Sequence, residues 1–308
     1  MTIQQLEYIL AVDQFRHFAK AAEHCRVTQP TLSAMIQKLE EELGVKLFDR
    51  TVQPVCPTSI GAKVLLQART ILSHASQVKE IISEEQRSLT GTFRLAVLPT
   101  IAPYLLPRFF PQFMEKYPEL DIRVTEMKTP DIRQALHGGE IDAAIIATRM
   151  EDSTLSEVPL FYEQFYGYVS RKEPLFKHDV IRTSDITGER LWLLDEGHCF
   201  RDQLMRFCQM EAVKIHQMAY RLGSMETFMH MVESGKGITF IPELAVLQLS
   251  AEQKELVRPF AIPRPTRQVM LVTSKDFIRN SLLRALTDEI QTAVPKEMLS
   301  LQAVQCLV

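Results

Sequence analysis

The hydrophobic pattern of this chain changes period at Thr90-Gly91, and that break fixes which elements each side can form. Before it, apolar residues recur every three or four positions, the spacing of half-buried helices. After it, apolar runs of five to six residues alternate with amphipathic segments, the pattern of βαβ units in a mostly parallel sheet. A chain of 308 residues has room for two or three compact units. The pattern therefore predicts an all-helical N-terminal part and an α/β C-terminal part.

In residues 1–58 the helices are short and close together. "TIQQLEYILAVDQF" sets Leu6, Ile9, Leu10 and Val12 near one face. Phe18 to Cys25 is Ala-rich, leaving room for close packing, and the turn "RVT" follows. The next helix opens with Thr28 as cap and Pro30 in its first turn, where a missing N–H costs little. Leu32, Ile36, Leu39 and Leu43 form its buried stripe, Gly44 ends it, and Thr31, Ala34, Gln37 and Lys38 lie on the other side. Two short helices with a tight turn and a small, hydrogen-bonding outer face make a helix-turn-helix; a plain helical hairpin fits the same spacing. "LFDRTVQPVCPTSIG" reads as a short wing with Arg50 available to a phosphate. From Gly61 to about Ser88, Val64, Ala68, Ile71, Ala75, Val78 and Ile82 recur at coiled-coil spacing. A helix of that length reaches roughly 40 Å, and it either pairs two copies or packs on its own core.

Beyond the break, "FRLAVL", "DIRVTEM", "IDAAIIA", "FYGYVS", "RLWLLD", "GITFIP" and "VMLVTS" are the expected strands, with helices over 103–117 and 130–138. Thr100, Thr129 and Cys199 each follow one of these strands, and ligands favour the carboxyl ends of strands in such sheets. One shared pocket is the natural reading.

Composition removes other classes. With 46% apolar and 24% charged residues the chain has the balance of a soluble globular protein. No window approaches a membrane span and no basic stretch leads an apolar core, so a cytoplasmic location with no membrane association is expected. The net charge of −3 gives no bulk support to nucleic-acid binding, which must rest on a local patch. The five cysteines are an odd number and lack zinc spacing, so neither a disulfide framework nor a metal or other cofactor is called for. Cys25 and Cys56 read as core packing and Cys306 as incidental in a tail. Cys199 and Cys208 remain open between packing and chemistry.

The order of parts resembles a known family. "FAKAAEHCRVTQPTLSAMIQKLEEELGVKLFDR" is similar to the signature of LysR-type transcription regulators. "LPTIAPYLLP", "GHCFRDQ" and "GKGITFIP" resemble the OxyR peroxide-sensing branch, and the likeness covers nearly the whole chain. It implies a winged helix-turn-helix over 1–58, a linker and dimerisation helix over 59–89, and a redox-sensing domain over 90–308. That domain would hold two Rossmann-like, periplasmic-binding-protein-like subdomains (90–162 with 268–300, and 163–267). It implies that Gln29, Pro30, Thr31 and Ser33 start the groove-reading helix, with Lys38 and Arg50 on phosphates. It further implies a peroxidatic thiol at Cys199, a resolving thiol at Cys208 in a reversible disulfide, and a peroxide pocket of Thr100, Thr129, His198, Asp202, Gln203 and Arg267. The implied partners are double-stranded operator DNA with paired half-sites, hydrogen peroxide, a second copy through the linker helix, a homotetramer, and RNA polymerase at antioxidant genes. Ala34 and Ala219 depart from the family pattern, which weakens base readout at the first and a second imidazole at the other.

Given that pairing, helix geometry adds an argument of its own. If 199–209 is helical, the cysteines lie ~13 Å apart along the axis and half a revolution around it, whereas a disulfide needs Cα atoms within ~7 Å. Oxidation and local refolding would be one event. The N-terminus of a helix and nearby Arg201 favour a thiolate at Cys199. Two further readings compete: a LysR-type regulator of a small metabolite in the cleft, and a thiol peroxidase. The latter leaves the helix-turn-helix unexplained, and chemistry once per signal is not enzymatic turnover.

Overall fold

The computed structural model describes residues 1–85, 89–186, 191–194, 199–208 and 224–308. The chain divides into two compact units, Met1–Ser88 with Ala135–Glu140, and Leu89–Gln134 with Ile141–Val308.

In the first unit, α1 (Ile3–Phe15) starts at a capping box in which Thr2 accepts from the Gln5 N–H and the Gln5 side chain accepts from the Thr2 N–H. α2 (Phe18–His24) buries Ala21 and Ala22, whose small size brings the helices together. α3 (Gln29–Leu43) is capped by the Thr28 hydroxyl and stopped by Gly44 at φ 69, a left-handed conformation that glycine adopts without strain. Its buried side is Leu32, Ile36, Leu39 and Glu40; Leu43, expected in that stripe, is exposed. β1 (Phe48–Asp49) and β2 (Cys56–Pro57) pair antiparallel as a wing. Cys56 is exposed there, so the packing role expected for it is wrong, while Cys25 does pack against the helical core. α4 (Ser59–Glu85) runs close beneath the wing: a Cβ on Gly61 would lie 2.0 Å from the Leu47 carbonyl oxygen, so only glycine fits.

The two readings of α4 each hold for part of it. Leu65 and Ala68 are buried in the unit's own core, with Val64, Ile71 and Leu72 half-buried against it. Ala75 and Val78 are exposed, Val78 at 63%.

The second unit runs β3 (Gly91–Val97), α5 (Ala102–Lys116), β4 (Leu120–Glu126), α6 (Thr129–His137), β5 (Ala143–Ile146) and β6 (Leu155–Val169). α7 (Cys199–Phe207), α8 (Met225–Ser234), β7 (Ile238–Pro242), α9 (Glu243–Val246), α10 (Ala251–Lys254) and β8 (Val257–Pro259) follow. β9 (Arg264–Ser274), α11 (Asn280–Ala293) and β10 (Gln305–Leu307) complete it. The sheet order is β4-β3-β5-β9-β6-β7, with β8 on β6 and β10 on β9. β3 is parallel to β4 and β5, but β9 is antiparallel to β5 and β6, and β7 and β8 are antiparallel to β6. The sheet is therefore mixed, not mostly parallel.

The reason lies in two long strands. One β6–β9 ladder runs from Leu155↔Ser274 to Gln164↔Thr266, interrupted by a bulge between Pro159 and Phe161. At one end β9 also pairs with β5, and at the other β6 pairs with β7 and β8. An outgoing strand and its return serve both sets, and such a pair has to run in opposite directions. Apolar periodicity carries no information on direction. Two smaller expectations also change. Of "RLWLLD", the described residues 191–194 contribute a bridge from Leu191 to Ile238 in place of a strand, and Cys306 lies in β10 rather than in a tail.

Candidate functional site

The α7 helix begins at Cys199, and Cys208 follows its last residue, with its N–H still bonded to the Leu204 carbonyl. Both thiols are free and buried. Burial pushes the Cys208 thiol up to about 11, so it is a proton-bearing, poor nucleophile at neutral pH. A helical rise of ~1.5 Å per residue keeps the two Cα atoms well beyond disulfide reach.

Next to Cys199, Phe200 meets Phe165 edge to face at 4.9 Å, and its ring centroid lies 5.2 Å from the Arg267 guanidinium carbon. Arg267 has no exposed surface and its side chain is fully engaged. Nη1 donates to the Thr100 hydroxyl at 3.0 Å and Nη2 to the Thr100 carbonyl at 2.9 Å. Nε and Nη2 both meet one Glu163 oxygen, at 2.9 and 2.7 Å. Thr100 and Arg267, 167 residues apart, are thus brought together. A buried Tyr104 phenol shares this neighbourhood. Burial first, and then the Glu226 carboxylate, hold its hydroxyl well above the ordinary value.

Gln203, on the buried side of α7, donates from one amide nitrogen to the Ala147 carbonyl at 2.7 Å and the Val308 carbonyl at 3.3 Å. It ties α7 to the ends of β5 and β10. Its Oε1 and the Thr129 hydroxyl, at the head of α6, are buried without a partner among the described residues. Buried polar atoms are rarely left so, and both suit a small hydrogen-bonding guest. Asp202 is exposed and its carbonyl accepts from Arg206 within the helix. His198 and Ala219 lie outside the described residues.

On the first unit, Gln29, Pro30, Thr31 and Lys38 are exposed on α3, as expected of a reading face. Ser33 is half-buried and its hydroxyl accepts from Arg50 at 3.3 Å. Arg50 also meets Glu40 at 3.4 Å and lies 4.9 Å over the Phe18 ring, so the wing is pinned to α2 and α3 through it.

Among the buried carboxylates that sequence reasoning missed, two bear on the functional surfaces. Glu40 accepts from the backbone N–H groups of Leu47 and Phe48 and pairs with Lys46 and Arg50. Glu163 holds Arg267. Both were findable. Glu40 is four residues from Ile36 on the buried helical stripe, and Glu163 alternates with Phe161 and Phe165 on the inward side of β6.

A helix-turn-helix unit followed by an α/β unit with buried unpartnered polar atoms on α6 and α7 is the organisation of a DNA-binding regulator with a sensing domain. The lysR-family bacterial regulatory helix-turn-helix profile matches residues 3–62, and the LysR substrate binding domain profile matches 86–295. The chain is 37% identical over 298 residues to the hydrogen peroxide-inducible genes activator of Dickeya chrysanthemi, covering 97% of this chain and 96% of that one. To the DNA-binding transcriptional dual regulator OxyR of Escherichia coli strain K12 it is 36% identical, with the same coverage. Among solved structures, the C199D variant of full-length OxyR from Pseudomonas aeruginosa is similar at a TM-score of 0.79 and 34% identity, covering 94% of this chain and 98% of that one. OxyR of Porphyromonas gingivalis is 56% identical at a TM-score of 0.67, covering 71% and 99%. The chain belongs to the LysR family of regulators, in the branch of the hydrogen peroxide-inducible activators.

Proposed function

We infer that this protein is a hydrogen-peroxide-responsive, DNA-binding transcription regulator switched by a reversible Cys199–Cys208 disulfide. The observation that carries this is α7 itself: one free buried thiol at its start, the other just past its end, and a helix between them that a disulfide cannot accommodate. The Cys199 thiolate attacks one peroxide oxygen, the O–O bond breaks, and hydroxide leaves and is protonated to water. The resulting sulfenic acid condenses with Cys208 and releases a second water. Closing the bond melts α7 and breaks the Gln203 ties to Ala147 and Val308.

We assign Thr100, Thr129, Gln203 and Arg267 to the peroxide pocket, supported by the two unpartnered polar atoms and the Arg267–Thr100 contacts. His198 and Asp202 rest on the family resemblance alone. The exposed side of α3 would enter a major groove, with Lys38 and Arg50 on phosphates. Residues 1–58, 59–89 and 90–308 are our division of labour: reading, pairing of copies through the open end of α4, and sensing. Paired half-sites follow from a two-fold dimer; a tetramer, contact with RNA polymerase, activation of antioxidant genes and a cytoplasmic location complete the proposal. Among the described residues no helix is long and apolar enough to cross a membrane. A stoichiometric switch is not an enzyme.

The test is a DNA footprint before and after peroxide. The wild-type footprint is expected to change and to reset with dithiothreitol, and Cys199→Ser to be locked in one pattern. A response surviving in Cys199→Ser would transfer the role to a metabolite in the cleft. Steady peroxide consumption with thioredoxin would indicate a peroxidase.

A further inference from the structure

Among the buried ionisable groups that the mechanism above leaves unused, one touches Arg267 directly. Glu163 is 1% exposed, deep in the β6–β9 ladder, and the register sets it directly opposite Arg267. A carboxylate out of water is unfavourable unless fully partnered, and this one is. One oxygen takes both Arg267 N–H groups, and the other accepts from the Leu244 N–H of α9 at 3.0 Å. The carboxylate is therefore held between a neighbouring helix and the guanidinium, with no freedom to turn.

That fixity passes through Arg267 to Thr100. A hydroxyl has one proton and two lone pairs. Arg267 Nη1 donates to the Thr100 oxygen, and a cation can only donate, so one lone pair is occupied from that side. The Thr100 proton is left to point elsewhere. The proton and one lone pair remain for a guest, so Thr100 can donate to a peroxide oxygen beside Cys199, the role that stabilises charge developing on the departing oxygen.

We propose that Glu163 is the positioning residue of the redox site: by anchoring Arg267 it fixes Thr100 as a proton donor toward the leaving oxygen of bound hydrogen peroxide. The proposal rests on the peroxide-sensing reading above. In the step it serves, the Cys199 sulfur bonds to one oxygen, the O–O bond breaks, and hydroxide departs. Thr100 donates a hydrogen bond and Glu163 touches no reacting atom.

The experiment compares two reactions of the same thiolate in the full-length reduced protein. Oxidation of Cys199 by hydrogen peroxide and its alkylation by iodoacetamide are both followed by peptide mass mapping. Their ratio cancels any change in the thiolate population. Glu163→Gln keeps the shape but leaves two Arg267 donors facing an amide, and the ratio should fall roughly tenfold. Thr100→Val should give a similar fall, and the double variant no further one, because the two act in series. If Glu163→Gln does not fold, Glu163→Asp, which keeps the charge and shortens the reach, should show the same selective loss.

An unchanged ratio, equal slowing of both reactions, or additive losses with Thr100→Val would each overturn the proposal. So would collapse of both variants, which would make Glu163 a residue of stability alone. If wild-type Cys199 itself ignores peroxide, the sensing reading fails first, and the two failures are thereby told apart.

Discussion

At the scale of single residues, burial keeps the Cys208 thiol protonated in the reduced fold. Its folded value is raised from 9.0 to about 11 by burial. The fold thus holds this proton more tightly than the unfolded chain does. The associated stability is intact below pH 9 and is lost as pH climbs toward 11. Iodoacetamide should therefore label Cys199 well before Cys208 at neutral pH, with Cys208 labelling rising only across that alkaline window. Equal labelling at pH 7, by mass mapping, would show that Cys208 is not held as a thiol. Arg50 is a second case where position decides consequence. Arg50→Ala is expected to weaken binding to all DNA sequences and flatten the salt dependence. Because Arg50 also joins Ser33, Glu40 and Phe18, the variant should lower the melting temperature as well. A salt slope equal to wild type would remove Arg50 from the phosphate contacts.

Elements carry the competition between helix and disulfide. α7 has to be helical to bury both thiols and non-helical to join them, so anything that weakens the helix favours the oxidised form. Arg206 is exposed on α7, and Arg206→Gly should destabilise the helix by about 1 kcal/mol. That corresponds to a roughly fivefold rise in the equilibrium constant for disulfide formation. Glutathione redox buffers would read it as a higher oxidised fraction at a given poise. Amide hydrogen exchange over residues 199–207 should accelerate on oxidation; unchanged protection would leave the melting of α7 without support. In the first unit, Thr28 supplies the cap of α3, and Thr28→Ala should cost about 1 kcal/mol, measurable by denaturant unfolding.

For the whole molecule, the relevant feature is the split character of α4. Its first half is built into the core of the first unit, and its second half leaves Ala75 and Val78 open. An exposed apolar stripe at coiled-coil spacing is suited to a second copy. Val78→Arg is therefore expected to shift the protein toward monomer in sedimentation and to weaken binding to paired half-sites far more than to one half-site. Sedimentation identical to wild type would move the self-association elsewhere.

Sequence alone determined the local features, because caps, stops and faces are set by neighbours three or four residues away. Thr28 and Gly44 bracketing α3, the Leu32–Ile36–Leu39 stripe, the strand edges at Thr100 and Thr129, and Cys199 opening a helix were all legible in this way. Tertiary structure alone decided what depends on residues far apart in the chain. Strand direction in the mixed sheet, the exposure of Cys56, the shared burial and opening of α4, and the pairing of Glu163 with Arg267 across 104 residues belong here. The physical reason is that a charge inside an apolar strand reads as a contradiction until its partner is known. Only the folded ladder supplies that partner.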